Sequence, residues 1–208
     1  MSTSKRKPRA YHHGDLRAAV LRAAGELLEK EGIAALTLRE VARRAGVSHN
    51  APYRHFPDHE ALLAALAGEG FAMLGAAQRE AAAAAGARGL GEAYVRFALA
   101  HPQRFGLMFG GRVSIARHPD LRAAAEKTYE GIARAMAARV PKENAGDAAV
   151  AAWARVHGLA TLLLNDRIAS AARAGRGDEA FIRQVLGAIR FAAAPSRFPA
   201  QSSAQFSP

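Results

Sequence analysis

The chain contains no cysteine in 208 residues, so disulfides, thiolate metal sites and cysteine nucleophiles are excluded. Such usage fits a reducing cytoplasm. Acidic residues are also in short supply: 18 Asp and Glu stand against 29 Lys and Arg, for a formal charge of +11 and a pI near 10.9. That balance draws polyanions, nucleic acid or an anionic surface, and otherwise serves only solubility. No apolar run of the ~18–20 residues needed for a membrane span is expected. The basic start, Met1 to Arg9, has no apolar segment after it and does not read as a secretory signal. No membrane partner is expected.

Catalytic patterns are missing as well. There is no His-Glu-x-x-His, and His12 and His13 are adjacent, so they cannot share a helix face. His49, His55 and His59 lack a carboxylate at ligand spacing. Phe109-Gly110-Gly111-Arg112 is too short for a phosphate loop, and no Ser sits in a nucleophile elbow. The reading is no enzyme, no metal and no cofactor.

Half of the residues are apolar, and they recur at helical spacing, with few β-branched residues and no sustained alternation. The expected class is all-α. Residues 1–10 read as a flexible basic arm, 11–60 as a three-helix helix-turn-helix domain, 61–197 as a helical regulatory and dimerisation domain, and 198–208 as a disordered tail.

Leu16, Val20, Ala23 and Leu27 give the first helix, about Asp15 to Glu31, one apolar face, with Gly32 at its left-handed end. Thr37-Leu38-Arg39-Glu40 has capping-box spacing, and Leu36 and Val41 fit a hydrophobic staple. That second helix ends at Gly46. Ser48 is the expected cap of a third helix over His49–His55, stopped by Phe56-Pro57. Asp58 caps a fourth, from His59 to about Ala84, and Gly86 to Gly91 make a break. Later helices are expected at Leu90–Ala100, Pro102–Phe109, Pro119–Val140, Gly146–Ala172 and Asp178–Ala194.

A short helix, a Gly turn and a second short helix make a helix-turn-helix. Its recognition helix presents short polar residues to base edges in the major groove, and His49 and Asn50 occupy those positions. Tyr53, Arg54 and His55 suit phosphate oxygens, and Thr37 places a hydroxyl near the opposite phosphate run; Ser48 is first a cap and second a phosphate contact, and Arg39 and His59 are further DNA-binding candidates. Lys5, Arg6, Lys7 and Arg9 suit a minor groove or a phosphate run. Ala42, Val47, Phe56 and Leu62 read as core; Arg43 and Arg44 read equally as contacts or as solvated charge. Pro52 removes the amide that would bond the Ser48 carbonyl, which unsettles the pitch of the third helix.

The run Thr37…Val41-Ala42…Ala45-Gly46-Val47-Ser48…Tyr53-Arg54-His55-Phe56…Glu60-Ala61-Leu62 resembles the DNA-binding domain of the TetR/AcrR family of bacterial regulators. The family typically has Leu where this chain has Pro52, and often Lys where it has His59. His101-Pro102…Arg104-Phe105…Leu107-Met108-Phe109 with Trp153…His157-Gly158 is similar to a TetR subgroup with a Trp-His-Gly signature in its C-terminal domain. The resemblance implies a homodimer on double-stranded operator DNA, commonly a repressor, and a small-molecule effector in the second domain.

From the residues themselves, Phe97, Phe105, Met108, Phe109, Tyr129, Trp153 and His157 are candidates for lining an apolar ligand pocket, and ordinary core is the competing reading. Val150, Ala154, Leu159, Leu162, Leu163, Ile182, Val185, Leu186 and Ile189 suit a dimer interface made by the last two helices. Against the ligand-gated repressor stands a ligand-independent or architectural DNA-binding protein, which the +11 charge favours.

Overall fold

The computed structural model describes residues 13–188, and side chains from Leu16 onward. The basic arm, the C-terminal tail and Ile189 lie outside the described residues. Within them every regular element is helical: α1 (His13–Glu31), α2 (Leu38–Arg44), α3 (His59–Ala100), α4 (Pro102–Phe109), α5 (Pro119–Ala137), α6 (Ala145–Leu164), α7 (Ser170–Arg173) and α8 (Asp178–Ala188), with 3-10 turns between some of them.

The face expected for α1 is the one buried: Leu16, Val20, Ala23 and Leu27 are at most 7% exposed. They join Leu36, Val41, Phe56 and Leu62 in one apolar cluster that continues through Tyr94, Phe105 and Leu159 to Phe181. The two halves of the chain therefore share a core, and α3 is its spine. It packs against α1, α4, α5, α6 and α8. The break expected over Gly86 to Gly91 is shorter than that: it is a kink inside α3, where Ala85 leaves helical geometry and Gly86 takes φ +60°, and residues 87–91 are already helical. That positive φ is open to glycine at little cost.

Being surrounded changes what α3 must look like. A helix covered on several sides is apolar all round. One 18-residue window of α3 accordingly reaches a mean hydropathy of 1.4, enough in length and composition for a membrane span, contrary to the expectation that no such stretch exists. Half of that window is buried inside the fold.

Further on, the single helix expected over Gly146–Ala172 is two. α6 stops at Leu164, where the Asp166 and Arg167 amides turn back to the Leu163 and Leu162 carbonyls and Asp166 takes φ +49°. This left-handed exit caps the helix.

Candidate nucleic-acid interface

Local sequence shapes the tip of the molecule. Thr37 is the N-cap of α2, and its hydroxyl accepts from the Glu40 amide at 3.1 Å. Only this half of the expected capping box forms. The Glu40 carboxylate instead takes Arg43, at 2.8 Å from Nε and 2.6 Å from Nη2. A bidentate guanidinium is the stronger donor, and it lies one turn on along the same helix. Leu36 and Val41 are buried together, as the staple requires. α2 ends in a Schellman turn: the Gly46 amide bonds the Arg43 carbonyl, the Val47 amide bonds Ala42, and Gly46 takes φ +68°.

The third element corrects the expectation. No α-helix spans His49–His55. The Ala51 amide donates to the Ser48 carbonyl at 2.9 Å, Arg54 to Ala51, and His55 and Phe56 to Pro52, so the segment is a turn followed by a 3-10 turn at Pro52–Arg54. Pro52 supplies the reason. An α-helix needs the residue-52 amide on the Ser48 carbonyl; proline has none, and the residue before it fills the place with a tighter bond. Ser48 accordingly contributes its carbonyl, and no side-chain cap bond opens the turn.

Around this turn Thr37, Arg39, Ser48, His49, Asn50, Arg54 and His59 are exposed, and Tyr53 is 54% exposed despite its ring. Thr37, Arg39 and His49 line one shallow depression of about 410 Å³ together with Glu40, Arg43 and Val47. His55 departs from the group. Its Nε2 is buried with no hydrogen-bond partner, and its ring meets Phe56 edge-on at 6.5 Å between centroids. It faces the cleft under the turn, beside Arg17 and Phe56, rather than the outer surface expected of a phosphate donor. Arg43 and Arg44 are held by carboxylates, Arg44 reaching Glu31 at 2.5 Å. The Arg43 guanidinium on Glu40 pushes that carboxyl below its usual value.

In the second half, seven aromatic rings meet, Phe71 joining through Phe109 at 5.3 Å. Tyr94 lies 5.8 Å from Phe105, Phe105 4.8 Å from Phe109, Phe109 5.0 Å from His157, and Trp153 6.1 Å from both Tyr129 and His157. Trp153 Nε1 donates to the Tyr94 hydroxyl at 3.2 Å, and that hydroxyl lies 2.9 Å from His157 Nδ1. A hydroxyl that accepts from Trp153 and donates to Nδ1 satisfies all three groups, and this requires a neutral imidazole. Burial pushes His157 down and Tyr94 up, each toward its neutral form. Phe97 sits apart against His101 at 5.0 Å, and Met108 packs on Gly70. The candidate ligand residues are thus packed on one another; a separate cavity lies on the neighbouring face of α6, lined by Ala152 and Val156.

Sequence comparison decides the family. Residues 20–66 match "Bacterial regulatory proteins, tetR family", and residues 87–188 match "Tetracyclin repressor-like, C-terminal domain". The chain belongs to the TetR family. A protein of unknown function from Rhodococcus sp. RHA1 is similar in structure, with 36% identity over 86% of this chain and 94% of that one and a TM-score of 0.70. The putative regulatory protein SCO4313 has 28% identity, covers 87% of this chain and 100% of its own, and gives a TM-score of 0.67. The multidrug binding protein EbrR, solved with imidazole, has 27% identity over 88% and 96% of the two chains, with a TM-score of 0.56. No curated protein matches.

The junction of the two TetR domains is polar, and the motifs did not mark all of its parts. Arg104 of α4 is 7% exposed and reaches Glu29 of α1 at 3.4 Å, Glu69 of α3 at 3.8 Å and the Leu66 carbonyl at 3.4 Å. A Cβ on Gly25 would stand 2.7 Å from its Nη2, so glycine leaves the guanidinium its room. On the other side Glu60 takes Arg117 and His118, both at 3.2 Å. Tyr94 also went unmarked, because its partners stand 59 and 63 residues away.

Proposed function

We propose that the protein is a homodimeric repressor acting in the cytoplasm, held on a palindromic operator and released by a small apolar or amphipathic ligand. The observation that carries the DNA-binding part is the polar turn after Gly46, where Ser48, His49, Asn50 and Tyr53 stand exposed beyond a buried Val41 and Phe56. On this reading His49 and Asn50 meet base edges. Thr37, Arg39, Ser48, Tyr53, Arg54 and His59 hold phosphates. His55 works from beneath, keeping the turn seated on Phe56.

Dimerisation is supported by α6. Val150, Ala154, Gly158 and Leu162 follow one another at four-residue spacing, and Val150 and Leu162 are 54% and 46% exposed. A second copy covering this stripe would pair the tips about one helical turn of DNA apart, roughly 34–36 Å. Leu159, Leu163 and Ile182 are spent on the subunit's own core instead. Ligand control is supported by the EbrR complexes with imidazole and with proflavin. It is supported too by α4, whose Phe105 and Phe109 touch the aromatic cluster while Arg104 grips α1 and α3. A shift of α4 would tilt the reading tip.

Selection of bound fragments from genomic DNA tests the reading. A two-fold symmetric site is expected. Tyr53→Phe is expected to weaken all binding, and Asn50→Ala to change preference more than general affinity. Equal affinity for selected and random DNA with a steep salt slope would overturn it in favour of an architectural protein.

A further inference from the structure

We infer that the effector is an anionic amphiphile, a carboxylate on an apolar tail, taken up in the cavity between the second half of α3, α5, α6 and α8. The inference rests on the ligand-responsive reading above and adds a site and a charge to it.

The cavity measures about 300 Å³, at the lower end of the roughly 300–1,000 Å³ usual for small-molecule sites. Leu90, Ile132, Met136 and Val156 make its walls. Among the described residues its charged lining is Arg88, Arg139 and Arg155, and no carboxylate lines it. The charge is placed where a head group would sit. The Arg88 side chain is 62% exposed and Arg139 is exposed, whereas Ile132 and Met136 are buried. An amphiphile would thus lay its tail inside and its head at the rim.

The rim arginines are poorly neutralised. Arg88 lies 3.6 Å from Glu92, but that carboxylate is also bonded by Arg96 at 3.0 Å. Arg139, just past the end of α5, donates back to the Ala135 carbonyl at 3.0 Å, and no carboxylate among the described residues pairs with it. The net positive lining disfavours a cationic ligand here. On the far side of Leu90 a smaller cavity, about 220 Å³, repeats the sign: Arg79, Lys127 and Arg134 line it, and no carboxylate does.

The location also gives the ligand a handle on the fold. Arg155 bonds the carbonyls of Val185 and Leu186 at 2.7 and 2.6 Å, tying α6 to the end of α8. A carboxylate drawn to Arg155 competes with those carbonyls and acts on α6, the helix that the dimer reading employs.

Titration calorimetry of the full chain with decanoate, decanol and decyltrimethylammonium separates the charges. Decanoate is expected to bind saturably, and Arg139→Glu to weaken it by about tenfold or more while the melting temperature holds. Arg54→Ala, which removes an exposed cation of the reading tip, is expected to leave decanoate binding unchanged; a loss there would mean adsorption to the basic DNA face and overturn the inference. Decanol or the ammonium binding as well as decanoate, no decanoate binding at all, or an Arg139→Glu variant that binds normally would overturn the inference. Operator affinity is measured separately with and without decanoate. Saturable decanoate binding with no change on DNA upholds the site and its charge and sinks the gating reading alone.

Discussion

Around Pro52 the polar side chains face outward with few partners; around Tyr94 they face one another. Asn50 and His49 are exposed on a turn held by backbone bonds at its root, whereas the Tyr94 hydroxyl is closed in by Trp153 and His157. Exposed groups of the first kind cost little to leave unmade, because water serves them until a partner arrives. Groups of the second kind have less of that substitute, Tyr94 being 1% exposed although Trp153 keeps 37%, and each depends on the others. The difference teaches where substitutions touch recognition and where they touch stability. Tip side chains are expected to alter binding without melting the protein, and cluster side chains the reverse.

The sharpest exception to that division is the residue beneath the tip. Phe56 is 2% exposed, carries Arg17 over its ring at 5.5 Å and closes the core under the turn. Phe56→Ala is expected to cost about 3–5 kcal/mol in denaturant unfolding and to abolish operator binding with it. A variant that melts normally yet fails on DNA would place Phe56 in recognition and blur the comparison. Tyr94→Phe comes next. It strands the Trp153 Nε1 donor and the His157 Nδ1 acceptor together, for an expected loss of about 1–3 kcal/mol with operator affinity of the folded protein intact. Tryptophan fluorescence during unfolding reads it directly.

Pro52→Leu probes the tip itself. Leucine restores the amide that an α-helix would place on the Ser48 carbonyl, so the segment is expected to gain helical circular dichroism. The effect on stability is expected to be small, about 1 kcal/mol either way, since Pro52 is buried and leucine must find room. Base preference at the positions facing His49 and Asn50 is expected to change more than total affinity. An unaltered preference would mean that the 3-10 turn does not set their pitch.

This residue also marks how far sequence reasoning reached. The cap at Thr37, the Gly46 exit, the break after Ala84 and the buried stripe of α1 follow from patterns within a turn or two, and all were legible. The short third helix was inferred from its flanking caps, and the missing amide at Pro52 outweighed them. In the second half Trp153 and His157 were rightly placed on one face. Whether that face bound a ligand or closed on itself depended on Tyr94, brought there by the fold over some sixty residues of chain. The three arginines that line the cavity, from α3, the turn after α5, and α6, carry no local pattern at all. Arg104 stood in the quoted motif, but its grip on Glu29 and Glu69 is tertiary.

The cluster makes a pH prediction whose sign is fixed by burial. His157 is pushed below its ordinary value of 6.5 in the folded chain, so the unfolded chain binds the proton more readily. Stability from the neutral imidazole is then complete above about pH 6.5 and falls as the pH drops from there toward the lowered folded value. His157→Asn is expected to flatten the stability profile over that window. A profile that keeps its slope would assign the loss to another group.

The smallest expected effect lies back at the tip. Arg43 and Glu40 form an exposed pair, and Arg43→Ala is expected to leave the melting temperature unchanged within error, most clearly at high salt. DNA binding should respond more. Glu40 lines the same depression as Thr37, Arg39 and His49, and Arg43 holds its carboxylate at 2.6 Å. Without Arg43 that carboxylate keeps only Arg44, 3.8 Å away, and stands as an uncovered anion beside the expected path of the phosphates. Operator affinity is therefore expected to fall, and Arg43→Ala combined with Glu40→Gln to recover most of the loss. If the double variant binds as weakly as the single one, Arg43 meets the phosphate itself, and the boundary between held and free charges at the tip runs on its other side.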